Sequence, residues 1–563
     1  MQKTCTNSWC KQPFEITEDD LAFYDKISPV FNRKKELIPP PTLCPECRQQ
    51  RRLSWRNERK LHRAPCGLCG KDIVSLYPTD APFPVYCQEC WWGDAWDGLS
   101  FGKEIDVAQP FFPQFSELQR HVPRLALFHL HSENSTFTNH SANNRNCYMG
   151  VAFGACEDCQ FGHWVLKSKN AVDCLYVEES ERCYEGAYLQ HCFEVFFSEH
   201  CQNCRQCMLC FDCRNCTNCI ACTQKHHGKY QILNAPVSET EFKRVWNELL
   251  HSRERFAAMH QSFEDLKRKT PRRATFQVQC LDTSGDDLYR CQNVRYCFNC
   301  RDMKDCAYIY DAATLQDCMD SYEHGWLVPA ELIYEAHAGM AGFHLAFCNI
   351  CSHSRELLYC DNCNNEAANL FACIGLKHKQ YCILNKQYTK EEYEKLVPQI
   401  IGHMRKTGEW GEFFPVSLSP FAYNETVAQE YFPLSKEEIV KRGWKWREEK
   451  DEMPKVSKTI PAAKLPDAID DVPDDILNWA IECEATKRPF KIIKQELDFY
   501  RTMKLPIPHF HPDERHKRRM ALRNPRKLWK RNCMKCGKPM ETTYAPERPE
   551  KVYCEECYLK EVY

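Results

Sequence analysis

From Cys147 to Cys219 cysteine recurs on a nine-residue step, at 147, 156, 174, 183, 192, 201, 210 and 219, with Val165 in the one vacant place. No α-helix holds one face on such a period. Short strands separated by corners do, and the aromatic or aliphatic residues after many of these cysteines suit strands. The expected form is a β-solenoid in which one or two nonapeptides make a coil, with small, apolar, stackable cysteine inside. On that alternation His191 and His200 turn outward. A weaker repeat follows: Cys291, Cys300 and Cys318 share one phase, and Cys297, Cys306, Cys351 and Cys360 another. A helical excursion is expected at PAELIYEAHAGMAGF (329–343). Both halves close alike, with KYQILNAPVSETEF (229–242) matching QYCILNKQYTKEEY (380–393), each carrying a helix-capping pattern, Ser238 with Glu241 and Thr389 with Glu392.

Thirty-nine cysteines in 563 residues would mark a disulfide scaffold in a small secreted domain, but this chain is far too long to need stapling. No signal-peptide core and no run of eighteen apolar residues occurs, so a soluble, cytoplasmic protein with reduced thiols is expected, and no membrane partner. Metal ligands and buried thiols are then the uses left for cysteine. For the dense array from Cys201 to Cys222, thiol packing is favoured over bound soft metal or a redox cluster.

At an offset of 467 the chain matches itself without gaps, residues 48–91 on 515–558, with 19 of 44 positions identical. Each copy holds CxxCGK, a turn-rich span and VYCxxC, which is the pattern of a zinc ribbon. Two residues between paired thiols let one tight turn aim both sulfurs at one ion, and two such turns close a four-thiolate shell with no open position. The expected ligands are Cys66, Cys69, Cys87 and Cys90, and Cys533, Cys536, Cys554 and Cys557, with iron in a rubredoxin-like site as the competing ion. Cys5, Cys10, Cys44 and Cys47 make a third expected site. Three Zn2+ ions per chain follow. In the C-terminal copy the upstream ligands are replaced by Thr486, His511 and Glu514; only Cys483 survives nearby, and a metal-free remnant is expected there, with a mixed Cys483/His511 site as the alternative.

The formal charge of −2 hides two basic segments. Arg48 to Arg63 carries seven Lys/Arg against Glu58 alone, and Arg515 to Arg531 carries nine and no acid. The first reads as one helix through Arg63, and a second helical turn is expected from Pro525. Arginine dominates and few acids stand nearby for pairing, so phosphate contact is favoured over an acidic protein partner or a plain solvated face. The candidate nucleic-acid residues are Arg48, Arg51, Arg52, Trp55, Arg56, Arg59 and Arg63, and Arg515, Arg518, Arg519, Arg523, Arg526 and Trp529, with the tryptophans as stacking surfaces.

The segments IPPPTLCPECRQQRRLSWRNERKL, FPLSKEEIVKRGWKW and ALRNPRKLWKRNCMKCGK, with the nonapeptide cysteines and the ending PERPEKVYCEECYLKEVY, resemble a family of uncharacterised cysteine-rich zinc-ribbon proteins from small-genome candidate-phylum bacteria. The resemblance covers essentially the whole chain. In the chains it resembles, the positions of Thr486, His511 and Glu514 are often cysteines, which implies a fourth metal site lost here.

The expected fold class is mixed and β-rich: terminal zinc-ribbon modules flanking a duplicated, cysteine-rich, solenoid-like middle with short helices. Residues 1–100 form the N-terminal module with its arginine-rich helix, 130–275 and 276–408 the two solenoids with capping helices, 409–477 an arm and acidic linker, and 478–563 the C-terminal module. In the arm, Ser435 caps a helix and Trp444 and Trp446 act as anchors. No P-loop, GxSxG, HExxH or dinucleotide fingerprint is present, so no enzyme is expected. The expected function is a zinc-containing nucleic-acid-binding protein, with RNA or a ribonucleoprotein favoured over DNA. The rivals are an adaptor that binds protein through its rigid middle, and a metal-buffering or thiol-redox protein.

Overall fold

A computed structural model describes residues 1–448 and 456–562. Its middle consists of parallel strands. In the first half a six-stranded sheet runs from His129–Leu130 to Ala187–Gln190, beside a seven-stranded sheet from Lys169–Val172 to Ala235–Pro236. In the second half one nine-stranded sheet runs from Gln277–Val278 to Lys386–Gln387. We call these the first and second parallel stacks.

Between most paired strands the step is twelve residues, where the cysteine spacing led us to expect nine or eighteen: Leu175 pairs with Ala187, and Cys207 with Cys219. The deeper period is three. From His140 to Leu233 every third residue has positive φ, turning the chain at each step, and the residue after each turn faces inward. Positive φ is worst for β-branched side chains, and none of these positions holds Val, Ile or Thr. Inward positions such as Cys204, Cys207, Cys210 and Cys213 are fully or almost fully buried.

The nine-residue spacing is then a diagonal. A residue nine further on lies one coil ahead and one three-residue side back. Thiols bond along that diagonal: Cys204 Sγ donates to the carbonyls of Gln202 and Cys213, both at 3.4 Å. A three-residue period also imitates a helix by repeating at i, i+3, which explains the expected excursion at 329–343. Residues 329–339 instead belong to strand Lys304–Gly339, with Ala330, Ile333 and Ala336 inside, and Gly342 and Phe343 open the next strand, Gly342–Ala346.

Both stacks close with a hairpin, Gln231 opposite Pro236 and Cys382 opposite Gln387. Asn234 and Asn385 take positive φ in the turns. Helices Glu239–His251 and Lys390–Thr407 follow, capped by Ser238 and Thr389 as their sequences indicate. Further on, Ser435 caps Lys436–Lys441, and Trp444 stacks on Tyr423 at 5.1 Å. Of the expected linker, residues 449–455 lie outside the described residues; beyond it Lys458–Pro461 pairs with Trp479–Glu482, and Ile460, Leu465, Ile469 and Ile476 are buried in one core with Phe196 and Met208 of the first stack.

Candidate metal centres and arginine clasps

Three groups of four cysteines each bring their sulfurs within 4.8 Å of one another: Cys5, Cys10, Cys44, Cys47; Cys66, Cys69, Cys87, Cys90; and Cys533, Cys536, Cys554, Cys557. These match the three expected zinc sites, and each group can hold a metal ion. With zinc–sulfur bonds of about 2.3 Å, a tetrahedron has sulfur–sulfur edges of about 3.8 Å. Cys10 and Cys44 are 3.7 Å apart, Cys69 and Cys87 3.9 Å, and Cys536 and Cys554 3.8 Å.

In each group one thiol is held low while a neighbour is raised, chiefly by burial at Cys87 and Cys557 and by the Cys44 hydrogen bond at Cys47. Burial raises the Cys66 thiol, but the N–H groups of Cys69, Cys87 and Leu68 outweigh it and bring its pKa to about 6. The N–H groups of Cys554, Cys536 and Lys535 do the same for Cys533, also to about 6. In the first group, hydrogen bonding from Cys47 pulls Cys44 down to about 5 against burial. Asn7 Nδ2 donates to Cys47 Sγ at 3.3 Å. In the C-terminal copy Cys483 is buried in an apolar core and His511 accepts the Asp513 N–H at 3.1 Å as the cap of helix Pro512–Met520.

The arginine-rich segments differ from expectation in shape and in surroundings. The N-terminal helix covers only Pro45–Leu53, and no helix starts at Pro525. Most of their arginines face carboxylates brought from far along the chain. Arg48 Nε donates to Asp320 Oδ2 at 2.9 Å, and Arg52 Nη1 to Glu335 Oε2 at 2.9 Å. Arg51 reaches Glu335 at 3.1 Å and Glu412 at 2.6 Å. Arg56 pairs with Glu58 at 2.5 Å and with Glu323. Burial raises the Glu335 carboxyl, but Arg52, Arg51 and Arg48 together outweigh that and leave it below its usual range. Trp55 is fully buried, with Nε1 3.3 Å from the Pro415 carbonyl, and offers no stacking face.

In the C-terminal copy Arg515 and Arg519 make the same kind of pair on the first stack, while Arg526 reaches the second. Arg515 and Arg519 both hold Asp173, the latter at 2.6 Å, and Arg515 also meets Glu496 at 3.1 Å. Arg523 bonds Tyr431 and lies 3.4 Å from Tyr176 Oη; Arg526 pairs with Asp311. Asp320 and Asp173 are fully buried, and both occupy positive-φ corners. An aromatic ring lies one coil before each: Arg48 sits over Tyr308 at 5.3 Å, and Arg515 over Phe161 at 4.6 Å.

The two modules also meet each other: Arg59 is 3.6 Å from Asp513, and Lys527 is 3.4 Å from Glu46. Among the expected nucleic-acid residues, Arg63 and Arg518 remain exposed, in ion pairs with Asp72 and Glu514, and Trp529 is half-buried in strand Trp529–Asn532.

Each ribbon is stitched to the leader of a stack. Val85–Tyr86 pairs in parallel with Arg124–Leu125, before the first stack, and Val552–Tyr553 with Arg272–Arg273, before the second. PRLALF (123–128) and PRRATF (271–276) repeat one pattern, a signal present in the sequence that our reading of it missed. Each module therefore bridges the two stacks, its ribbon on the leader of one and its arginine helix on the other.

Fold and site together define a β-rich, cysteine-rich protein with three groups of four cysteines, each able to hold a metal ion. The chain matches no protein-family model, and no curated protein is similar to it. Among the described residues no helix is long and apolar enough to cross a membrane.

Proposed function

We propose that the protein is a zinc-stabilised binding scaffold: two cysteine-lined β-solenoids, with square coils of twelve residues, locked side by side by the duplicated terminal modules. The observation that carries this reading is the burial of Arg48, Arg51, Arg52, Arg56, Arg515 and Arg519 on the protein's own carboxylates. Arginines so engaged serve as clasps. The clasped stacks frame a cleft of about 1420 Å³ together with the N-terminal ribbon, and that cleft is the binding surface. The cysteines, none in a disulfide, suit a reducing compartment, the cytoplasm. Closed four-cysteine groups also agree with the resemblance to cysteine-rich zinc-ribbon proteins.

Hydroxyl-radical footprinting of protein isolated from its source tests the proposal. A retained ligand should protect Trp92, Phe137 and Trp326, which line the cleft and are partly exposed. Protection absent from all three would remove the cleft from consideration.

A second reading keeps RNA as the partner. It rests on Lys517, Arg518 and Lys530, exposed on the same module as the half-buried Trp529. Under it, replacing these three cations by Gln weakens RNA binding and flattens its salt dependence without altering zinc content. Unchanged salt dependence would set this reading aside.

A further inference from the structure

We infer that the cleft takes an extended polypeptide segment, added as a strand to the open edge of the first stack. This rests on the reading of the cleft as the binding surface and specifies its ligand. The six-stranded sheet ends at His129–Leu130, whose one neighbour is Ser141–Ala142. On that side Phe128 O accepts from the Ser141 N–H and Leu130 O from the Asn143 N–H, each at 3.0 Å. A parallel ladder engages alternate residues of a strand, so the N–H and C=O of His129 turn to the opposite side, just before the chain turns at the positive-φ residue His131. Both residues line the cleft. Edges are usually blunted by lysine, proline or a cover. Here Leu130 is 36% exposed at the edge.

The charges around the cleft select against a polyanion. Each lining cation already faces a carboxylate: Arg63 with Asp72 at 3.0 Å, Lys71 with Glu89 at 3.7 Å, Lys167 with Glu179 at 3.1 Å, Arg290 with Asp302 at 2.6 Å, and Arg301 with Glu178. The volume exceeds the roughly 300–1,000 Å³ of small-molecule sites, which suits a chain-like ligand. Trp164 and Trp326, with ring centroids 4.2 Å apart, supply an apolar wall. Main-chain bonds along the edge then supply affinity, and alternate side chains meet the aromatic wall.

The test uses the full chain loaded with zinc and a fluorescent eight-residue peptide alternating Leu or Phe with Ser or Thr. We expect saturable binding that protects Trp326 from radical oxidation. The same peptide N-methylated at alternate amides should bind at least tenfold more weakly, because strand addition needs its N–H groups. Leu130→Lys should weaken the parent peptide comparably while leaving zinc content and far-UV circular dichroism unchanged. No binding of the parent peptide, or equal binding of the methylated one to wild-type protein, would overturn strand addition. If a twelve-nucleotide RNA protects Trp326 and the peptide does not, strand addition fails while the cleft stands as the binding surface.

Discussion

Arg48 donates to Asp320 at 2.9 Å across 272 residues of sequence, in a site where neither side chain is more than 2% exposed. Burial raises the Asp320 carboxyl, and Arg48 and Arg52 oppose that rise, so the aspartate depends on them. Removing one partner of such a buried pair strands the other's charge, at a cost of about 3–5 kcal/mol. Asp320→Ala and Asp173→Ala should each lower stability by that amount, read from the urea midpoint. Arg63→Gln, which breaks a pair whose members are both 66% exposed, should stay within about 0.5 kcal/mol. Equal, small effects for all three variants would deny the clasps a structural role.

Elemental analysis should return three zinc ions per chain, one for each four-cysteine group. The interior thiols of the stacks donate S–H to backbone carbonyls and should remain metal-free, as Cys201 does toward Glu199 at 3.4 Å and Cys210 at 3.7 Å. Six or more tightly held metals per chain would defeat the packing account of the ladder.

Cys536→Ser with Cys554→Ser should remove one zinc and open the C-terminal ribbon, because its few apolar side chains cannot hold it without the ion. The opening should spread to the leader of the second stack, where Val552 pairs with Arg272 and Thr542 Oγ1 donates to the Ala274 carbonyl at 2.7 Å. Hydrogen exchange should therefore quicken at 272–274 and 533–558 while the strands from Arg205 to Ile220 stay protected. Loss of protection in those strands as well would mean that the stack does not stand without the ribbon.

Mild oxidation reads out the coil length. Paired residues in adjacent strands lie about 4.8 Å apart, within disulfide reach. Links should form at twelve-residue separations, between Cys207 and Cys219 first, since these are register partners. Links at eighteen residues, such as Cys183 to Cys201, would contradict the register.

Acid should destabilise the protein before its carboxylates titrate. Burial pushes the His324 imidazole down to about 3, and burial likewise holds His140, His163, His337 and His516 well below their ordinary value. In the unfolded chain each takes a proton near pH 6.5. Below that pH the unfolded state binds more protons than the folded one. The stability these groups contribute is thus whole above about pH 6.5 and falls as pH drops toward 3. The urea midpoint should be lower at pH 5.5 than at pH 7.5, with zinc retention verified at both; an unchanged midpoint would place charged imidazoles in the folded protein.

Much of this was legible along the chain. The four-cysteine groups announce themselves because two ligands two residues apart need only a local turn, and the caps at Ser238, Thr389 and Ser435 are equally local. The period of three was also legible, in the absence of β-branched residues at every third position from 140 to 233, but the nine-residue cysteines drew attention to its diagonal. The helix expected at 329–343 failed for the same reason, since spacing at i, i+3 serves both structures.

Residue order alone was enough for the metal groups, the duplication of the terminal modules and the strand-rich, thiol-lined middle. Each of these follows from contacts made within a few residues or from a repeat that can be counted. Where the arginines sit depends on long-range packing. Asp320 and Glu335 lie 272 and 283 residues from the arginines they meet, and Asp173 lies 342 from Arg515, so no local window could show those charges as paired. The carboxylates stand at outward corners, where nothing nearby in the chain separates a solvated aspartate from a buried one. That distinction arises when each module crosses over to the other stack and excludes the water.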